Sequence, residues 1–205
     1  MLITSLSEYI KSAKGAIHIG AHDGSECSWY VDVGYERVLW FEPNRILFSR
    51  LRENIKKYSN QVAFNFGIHD SLKEAVLHIS SNDAQSSSIL EFGTHLKYHP
   101  NVKVIGSQMI RLMRIDDFFR DYYWDVKSFD FVNIDTEGTE LNVLKSFGNL
   151  IKKIKYIYTE IHEEEIFKGG ALVDEIDNYL LAYGFSRQVT KLTGKKWGDA
   201  LYIRK

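Results

Sequence analysis

The chain has 205 residues, enough for one domain with its own core, and its 44% apolar and 26% charged content is that of an ordinary globular protein. Its 26 basic and 27 acidic residues nearly cancel to a net charge of −1, which argues against a nucleic-acid partner, since that needs a surplus of cations on one face. Cys27 is the single cysteine, so an internal disulfide framework and a paired-cysteine metal or redox motif are excluded, and a reducing, cytoplasmic setting is expected. No basic, apolar leader opens the chain and no run of about 18 apolar residues occurs, so neither a signal peptide nor a membrane span is expected.

Short apolar runs alternate with helical patterns, the rhythm of βαβ units and a mainly parallel sheet over a single domain, 1–205. Leu6, Tyr9, Ile10 and Ala13 predict a short leading helix. Ala16–Ile19 reads as a first buried strand, followed by the turn Gly20-Ala21-His22-Asp23-Gly24 and a helix over 25–32. Arg37–Phe41 is a second strand stopped by Glu42-Pro43, and Asn44 is placed to cap a helix whose apolar face is Ile46, Leu47, Leu51 and Ile55. Residues 61–66 form a third strand, and 74–79 a strand expected to pair with it through a turn at 69–73. Residues 80–101 are polar and irregular, a length usual for a lid or binding loop. A strand over 102–112, a helix over 115–122 and a strand over 129–135 follow. Gly138 breaks that strand before a helix marked by Leu141, Val143, Leu144 and Phe147. A strand over 156–161, a helix over 172–183 ended by Gly184, and a terminal hairpin around Thr193-Gly194 complete the chain.

Four places carry chemistry. In an open α/β sheet, ligands bind beyond the carboxyl ends of the strands, where the strand order reverses. Gly20 and Gly24 let the backbone pass close to a ligand there, with a spacing that is neither G-x-G-x-x-G nor a Walker A loop. Glu42 ends the second strand, 22 residues after Gly20, where a carboxylate can accept both hydroxyls of a ribose. Asn133, Asp135 and Glu137 alternate onto one side as their strand ends, where carboxylates can orient a cationic cofactor, take a proton or hold Mg²⁺; helix capping is the plainer role for Glu140 and an alternative one for Glu137. Glu160 and His162 share a face at the end of the next strand, with His162 a natural proton acceptor near neutral pH. The other histidines show no metal-binding spacing, and no metal set is expected.

In this order the blocks Ile17–Gly24, Trp40–Asn44, Gly67-Ile68-His69-Asp70, Ser86–Leu90, Arg114–Phe118 and Phe129–Leu141 resemble the FkbM family of methyltransferases, over about residues 15–165. The resemblance implies a doubly wound class I fold: a Rossmann-like seven-stranded sheet, mostly parallel, with an antiparallel C-terminal strand. It implies O-methylation of sugar or natural-product hydroxyls with S-adenosylmethionine. Gly20, Ala21, His22, Asp23 and Gly24 would then lie beside the methionine portion. Glu42, Pro43 and Asn44 would hold the ribose and adenosine, Gly67, Ile68 and Asp70 would sit near the adenine, and Asp135 near the methyl-transfer centre. Asp135, His162 and Glu160 are the candidate catalytic residues, with Asp135 and His162 expected to face each other across the cleft. The expected partner is a small-molecule or glycan acceptor. A nicotinamide oxidoreductase and a catalytically silent cofactor-binding module are the competing readings.

Overall fold

The computed structural model describes residues 6, 8–10, 14–71 and 73–205. The helix expected over 6–13 falls largely outside the described residues, although Leu6 and Ile10 are buried in the core that contains Trp40 and Leu201. The elements in chain order are β1 (Gly15–Ile19), α1 (Cys27–Val33), β2 (Arg37–Phe41), α2 (Arg45–Ile55), β3 (Gln61–Phe64), β4 (Gly67–Ile68), β5 (Glu74–Ser80), α3 (His95–Tyr98), β6 (Val104–Met113), α4 (Ile115–Asp121), β7 (Phe131–Ile134), α5 (Glu140–Ser146), β8 (Tyr156–His162), α6 (Val173–Leu181), β9 (Phe185–Leu192) and β10 (Trp197–Arg204).

The main sheet has seven strands in the order β3-β2-β1-β7-β8-β10-β9. β3, β2, β1, β7 and β8 pair in parallel, and β10 pairs antiparallel with both β8 and β9. This is the expected fold class. The central strands are near-continuous apolar runs because both faces are covered. Period two sends Ile17, Ile19, Leu39, Phe41, Val132 and Ile134 into one core cluster, and Ala16, Val38, Trp40 and Phe131 into another. The chain runs from β1 outward to β2 and β3 and then returns to β7 on the other side of β1. The switch point therefore lies between the carboxyl ends of β1 and β7.

Gly20 sits at that point with φ +81°, and a Cβ there would lie 1.6 Å from the Asp135 carbonyl oxygen. Only glycine lets the turn after β1 approach the end of β7 so closely. Helix α2 starts where expected. The Asn44 side chain accepts the backbone N–H groups of Ile46 (3.0 Å) and Leu47 (3.4 Å), and Leu47, Leu51 and Ile55 face inward. Ile46, expected on the apolar face, is 68% exposed, because a stripe at i, i+4 and i+8 leaves the residue before it outside.

One pairing differs from expectation. β5 does not return to the 61–66 strand. It pairs antiparallel with β6, from Glu74 opposite Arg111 to Ser80 opposite Val104. The expected third strand stops at Phe64, and Gly67–Ile68 pairs in parallel with Leu112–Met113, giving a separate small sheet β4-β6-β5. Alternation marks a strand without choosing its partner; here Arg114 closes the small sheet by donating to the Asp70 carbonyl (2.7 Å). Among the described residues no helix is long and apolar enough to cross a membrane.

Candidate active site

A cavity of about 350 Å³ opens at the switch point. Its wall includes Gly20, His22, Glu42, Pro43, Asn44, Gly67, Ile68 and Asp135 from the expected set. Glu42 is 5% exposed, and its two oxygens accept the backbone N–H groups of His22 (2.8 Å) and Asn44 (2.7 Å). Burial pushes its carboxyl up to about 7, although those two donors pull the other way. Each oxygen retains acceptor capacity for a ligand hydroxyl.

The opposite wall comes from the 80–101 segment and the small sheet: Ala84, Gln85, Ser87, Ser88 and Ile89, with Leu77, Ile110 and Leu112. The segment is fixed at both ends of this stretch. His22 donates through Nε2 to the Asp83 carbonyl (2.9 Å), which assigns the ring proton to that nitrogen. Arg50 holds the Asp83 carboxylate at 2.9 and 3.1 Å, and Ser88 Oγ donates to the Glu137 carbonyl at 2.7 Å.

The turn after β7 gathers acids. Glu140 is fully buried; its carboxylate accepts from the Thr136 N–H (2.9 Å), the Thr136 hydroxyl (3.0 Å) and the Gly138 N–H (3.1 Å). It ties down the turn ahead of α5 and accepts none of that helix's own N–H groups, so the capping role expected for it is not the one observed. Glu137, at φ +56°, joins the cavity wall instead. Carboxylate oxygens of Asp135, Glu137 and Glu160 lie within 4.8 Å of one another. Asp135 opens onto the cavity, yet its seat deep among protein groups and the charges of Glu160 and Glu140 hold its carboxyl well above the usual range. The same causes raise Glu137. Burial raises Glu160, against the pull of His162. Like charges so close share protons, and their titration belongs to the group.

Asp135 and His162, expected to face each other, line different pockets. Glu160 stands between their roles: His162 Nε2 lies 3.2 Å from Glu160 Oε2. His162 is 2% exposed and lines a separate pocket of about 50 Å³ with Ser86, His95, His99, Glu137, Glu160 and Trp197. Burial alone would lower its imidazole, but pairing with Glu160 brings it above its ordinary value. The reason is strand geometry: two residues apart on β8, the pair shares a face but reaches different depths along the strand.

A second cavity, about 400 Å³, shares Gly20, His22 and Asp135 with the first and adds Ala21, Glu26, Trp29, Asn133, Tyr158 and Asp199. Of the remaining expected residues, Asp23 is outside both walls and accepts the Ser25 N–H (3.1 Å), while Gly24 packs against Leu51. Asp70 is also outside, accepting from Asn142 (3.1 Å) and the Ser71 hydroxyl (3.1 Å). Glu26, Tyr158 and Asp199 went unnoticed in the sequence. Asp199 lies opposite Glu160 in the β8–β10 register, so only the strand pairing brings it to the site.

The family model described as the Methyltransferase FkbM domain matches residues 18–187. The 2-O-methyltransferase NoeI of Sinorhizobium fredii is 26% identical over 184 residues, covering 84% of this chain and 75% of that protein. The hexuronic acid methyltransferase AglP of Haloferax volcanii is 28% identical over 156 residues, covering 76% of this chain, which spans only 57% of AglP. In fold, the chain is similar to TrmK of M. capricolum, solved with S-adenosyl-homocysteine (TM-score 0.53, 10% identity, covering 100% of this chain and 68% of that one). It is also similar to magnesium protoporphyrin IX methyltransferase of Synechocystis PCC 6803 (TM-score 0.52, 9% identity, 98% and 74%). The nicotinamide and catalytically silent readings find no support in these matches. A family match over most of the chain, on a sheet whose switch point carries the glycine turn, the strand-end Glu42 and the Asp135 acid group, shows that the chain belongs to the FkbM methyltransferases and is an S-adenosylmethionine-dependent methyltransferase.

Proposed function

We propose that the enzyme O-methylates a sugar hydroxyl, with Asp135 taking the hydroxyl proton. The observation that carries this reading is the placement of Asp135, Glu137 and Glu160 beside the Gly20 turn, next to the Glu42 cavity. The printed activities of NoeI and AglP support a sugar as acceptor. When bound, S-adenosylmethionine supplies a methyl group already activated by its sulfonium.

The residues present fit that cofactor. Glu42, buried with both oxygens anchored, accepts the ribose hydroxyls, and Ile68, Leu77, Ile110 and Leu112 give an apolar wall for the base. Gly20 and Ala21 line the way to the second cavity for the amino-acid end. The chain's chemical work is alignment, which contributes ~7–11 kcal/mol in favourable systems, and removal of one proton. As the hydroxyl oxygen gains the methyl and the S–C bond breaks, the proton passes to Asp135, whose raised carboxyl is a better base than an ordinary aspartate. Glu160, whose charge helps to raise the Asp135 carboxyl, is itself paired with His162. Transfer of tritium from methyl-labelled cofactor to a panel of glycosides tests the reading; a panel left unlabelled by an enzyme that binds S-adenosylhomocysteine would refute the sugar acceptor.

Two outcomes follow here. Ribose hydroxyls favour ionised Glu42, whose carboxyl sits at about 7. Affinity for S-adenosylhomocysteine therefore strengthens as pH rises through 7, by up to ~10-fold per unit below it, with protons released on binding. Calorimetry in buffers of different ionisation enthalpy measures this, and Glu42→Gln flattens the dependence. Three carboxylates would also suit a hard divalent ion such as Mg²⁺. With the proton assigned to Asp135, EDTA leaves the rate unchanged; a rate abolished by EDTA and restored by MgCl₂ moves the role to a metal.

A further inference from the structure

We infer that the acceptor is an uncharged sugar and that the site rejects uronic acids, an inference that rests on the O-methylation reading above. The charge inventory of the site carries it. Asp135, Glu137 and Glu160 meet at the junction of the three cavities, and Glu26 and Asp199 line the second. Among the described residues, no Lys or Arg lines any of the three. A sugar carboxylate is ordinarily held by a cation, with Arg favoured for its paired donors. Arg50 lines an adjoining pocket that shares Asn44, Leu47 and Ala84 with the first, but it is committed to the Asp83 carboxylate at 2.9 and 3.1 Å, and the His162 imidazole lies 3.2 Å from Glu160.

Lys97, Lys195 and Lys196, near in sequence to the pocket residues His95, His99 and Trp197, have partners of their own. Lys97 lies 3.7 Å from Glu164, and Lys196 lies 3.1 Å from Glu163. Lys195 stands over the Trp197 ring, 5.8 Å from its centroid. A hexuronate ring keeps its own carboxylate within one ring's width of the hydroxyl that reacts, so a uronate presenting that hydroxyl to Asp135 would bring its charge in among the acids. Neutral hydroxyls meet the opposite situation. Each donates a proton, and carboxylates accept from several donors at once.

Matched pairs of methyl glycosides test this: glucoside and glucuronide, galactoside and galacturonide, mannoside and mannuronide. Turnover is measured with tritiated cofactor, with EDTA and again with MgCl₂. Binding to the enzyme loaded with S-adenosylhomocysteine is followed separately by saturation-transfer NMR. The neutral member of at least one pair is expected to exceed its uronate by ~100-fold or more in kcat/KM, the scale of a like-charge clash in a recognition site. Glu137→Gln removes one of the three acids and is expected to narrow that ratio by ~10-fold. A uronate used as well as its neutral partner, in either ionic condition, overturns the inference and leaves sugar O-methylation standing. A panel in which no sugar is methylated or bound overturns the sugar reading and the inference with it.

Discussion

Replacing Asp135 with Asn lowers kcat by ~10²–10⁴-fold, the usual contribution of a positioned general base, while affinity for S-adenosylhomocysteine changes little. Asparagine keeps the shape of the side chain. The backbone N–H of Asp135, which donates to the Ile19 carbonyl (3.0 Å), and its carbonyl, which packs on Gly20, are untouched. What is lost is the ability to take a proton. The acid limb of the pH–rate profile supplies a second reading. Because burial and the neighbouring carboxylates raise Asp135, the wild-type rate falls as pH drops at values above the ordinary aspartate range. The apparent midpoint belongs to the acid group as a whole. His162→Gln is expected to shift that midpoint, since it removes the imidazole that pairs with Glu160, with a smaller loss of kcat. Single-turnover kinetics at saturating cofactor separate the chemical step from binding. Full activity in both Asp135→Asn and His162→Gln would remove this site from the mechanism and turn attention to residues 80–101.

Glu42→Ala weakens S-adenosylhomocysteine binding by ~10- to 150-fold, from the 1.5–3 kcal/mol of a hydrogen bond to a charged group. The truncation does two things. It removes the acceptor for the ribose hydroxyls, and it leaves the N–H groups of His22 and Asn44 without their partners at 2.8 and 2.7 Å. Glu42→Gln distinguishes the two effects. It preserves the volume and one acceptor oxygen but turns an NH₂ toward one of those N–H groups. Linkage has a definite sign in the ligand-free protein. A carboxyl raised in the fold from 4.5 to about 7 stabilises fully below its unfolded value, and that contribution is lost as pH rises through 7. Melting temperatures of Glu42→Gln therefore decline less between pH 5.5 and 8 than those of the wild type. An unchanged dissociation constant in Glu42→Ala would confine Glu42 to shaping the turn.

The sequence alone determined the parts whose physics is local. Short, near-continuous apolar runs marked β1, β2, β7 and β8, and stripes at helical spacing marked α2, α5 and α6, because burial is written directly into residue order. Glycine at 20 and the strand-end Glu42 located one wall of the cavity, since the turn requires a missing Cβ and the carboxylate follows β2 immediately. The tertiary structure alone decided what depends on partners. β5 alternates like any half-buried strand, and only its docking on β6 built the small sheet whose Leu77, Ile110 and Leu112 close the cavity. His162 is a plausible base by residue type, yet it is buried beside Glu160 in a pocket that Asp135 does not line. Asp70 follows a strand end like the others, but Asn142 and Ser71 bind its carboxylate away from the cavity. Asp199 enters the site only because β10 lies antiparallel on β8. Periodicity fixes the face of a strand, whereas depth, partner and charge state are set by residues far away in the chain.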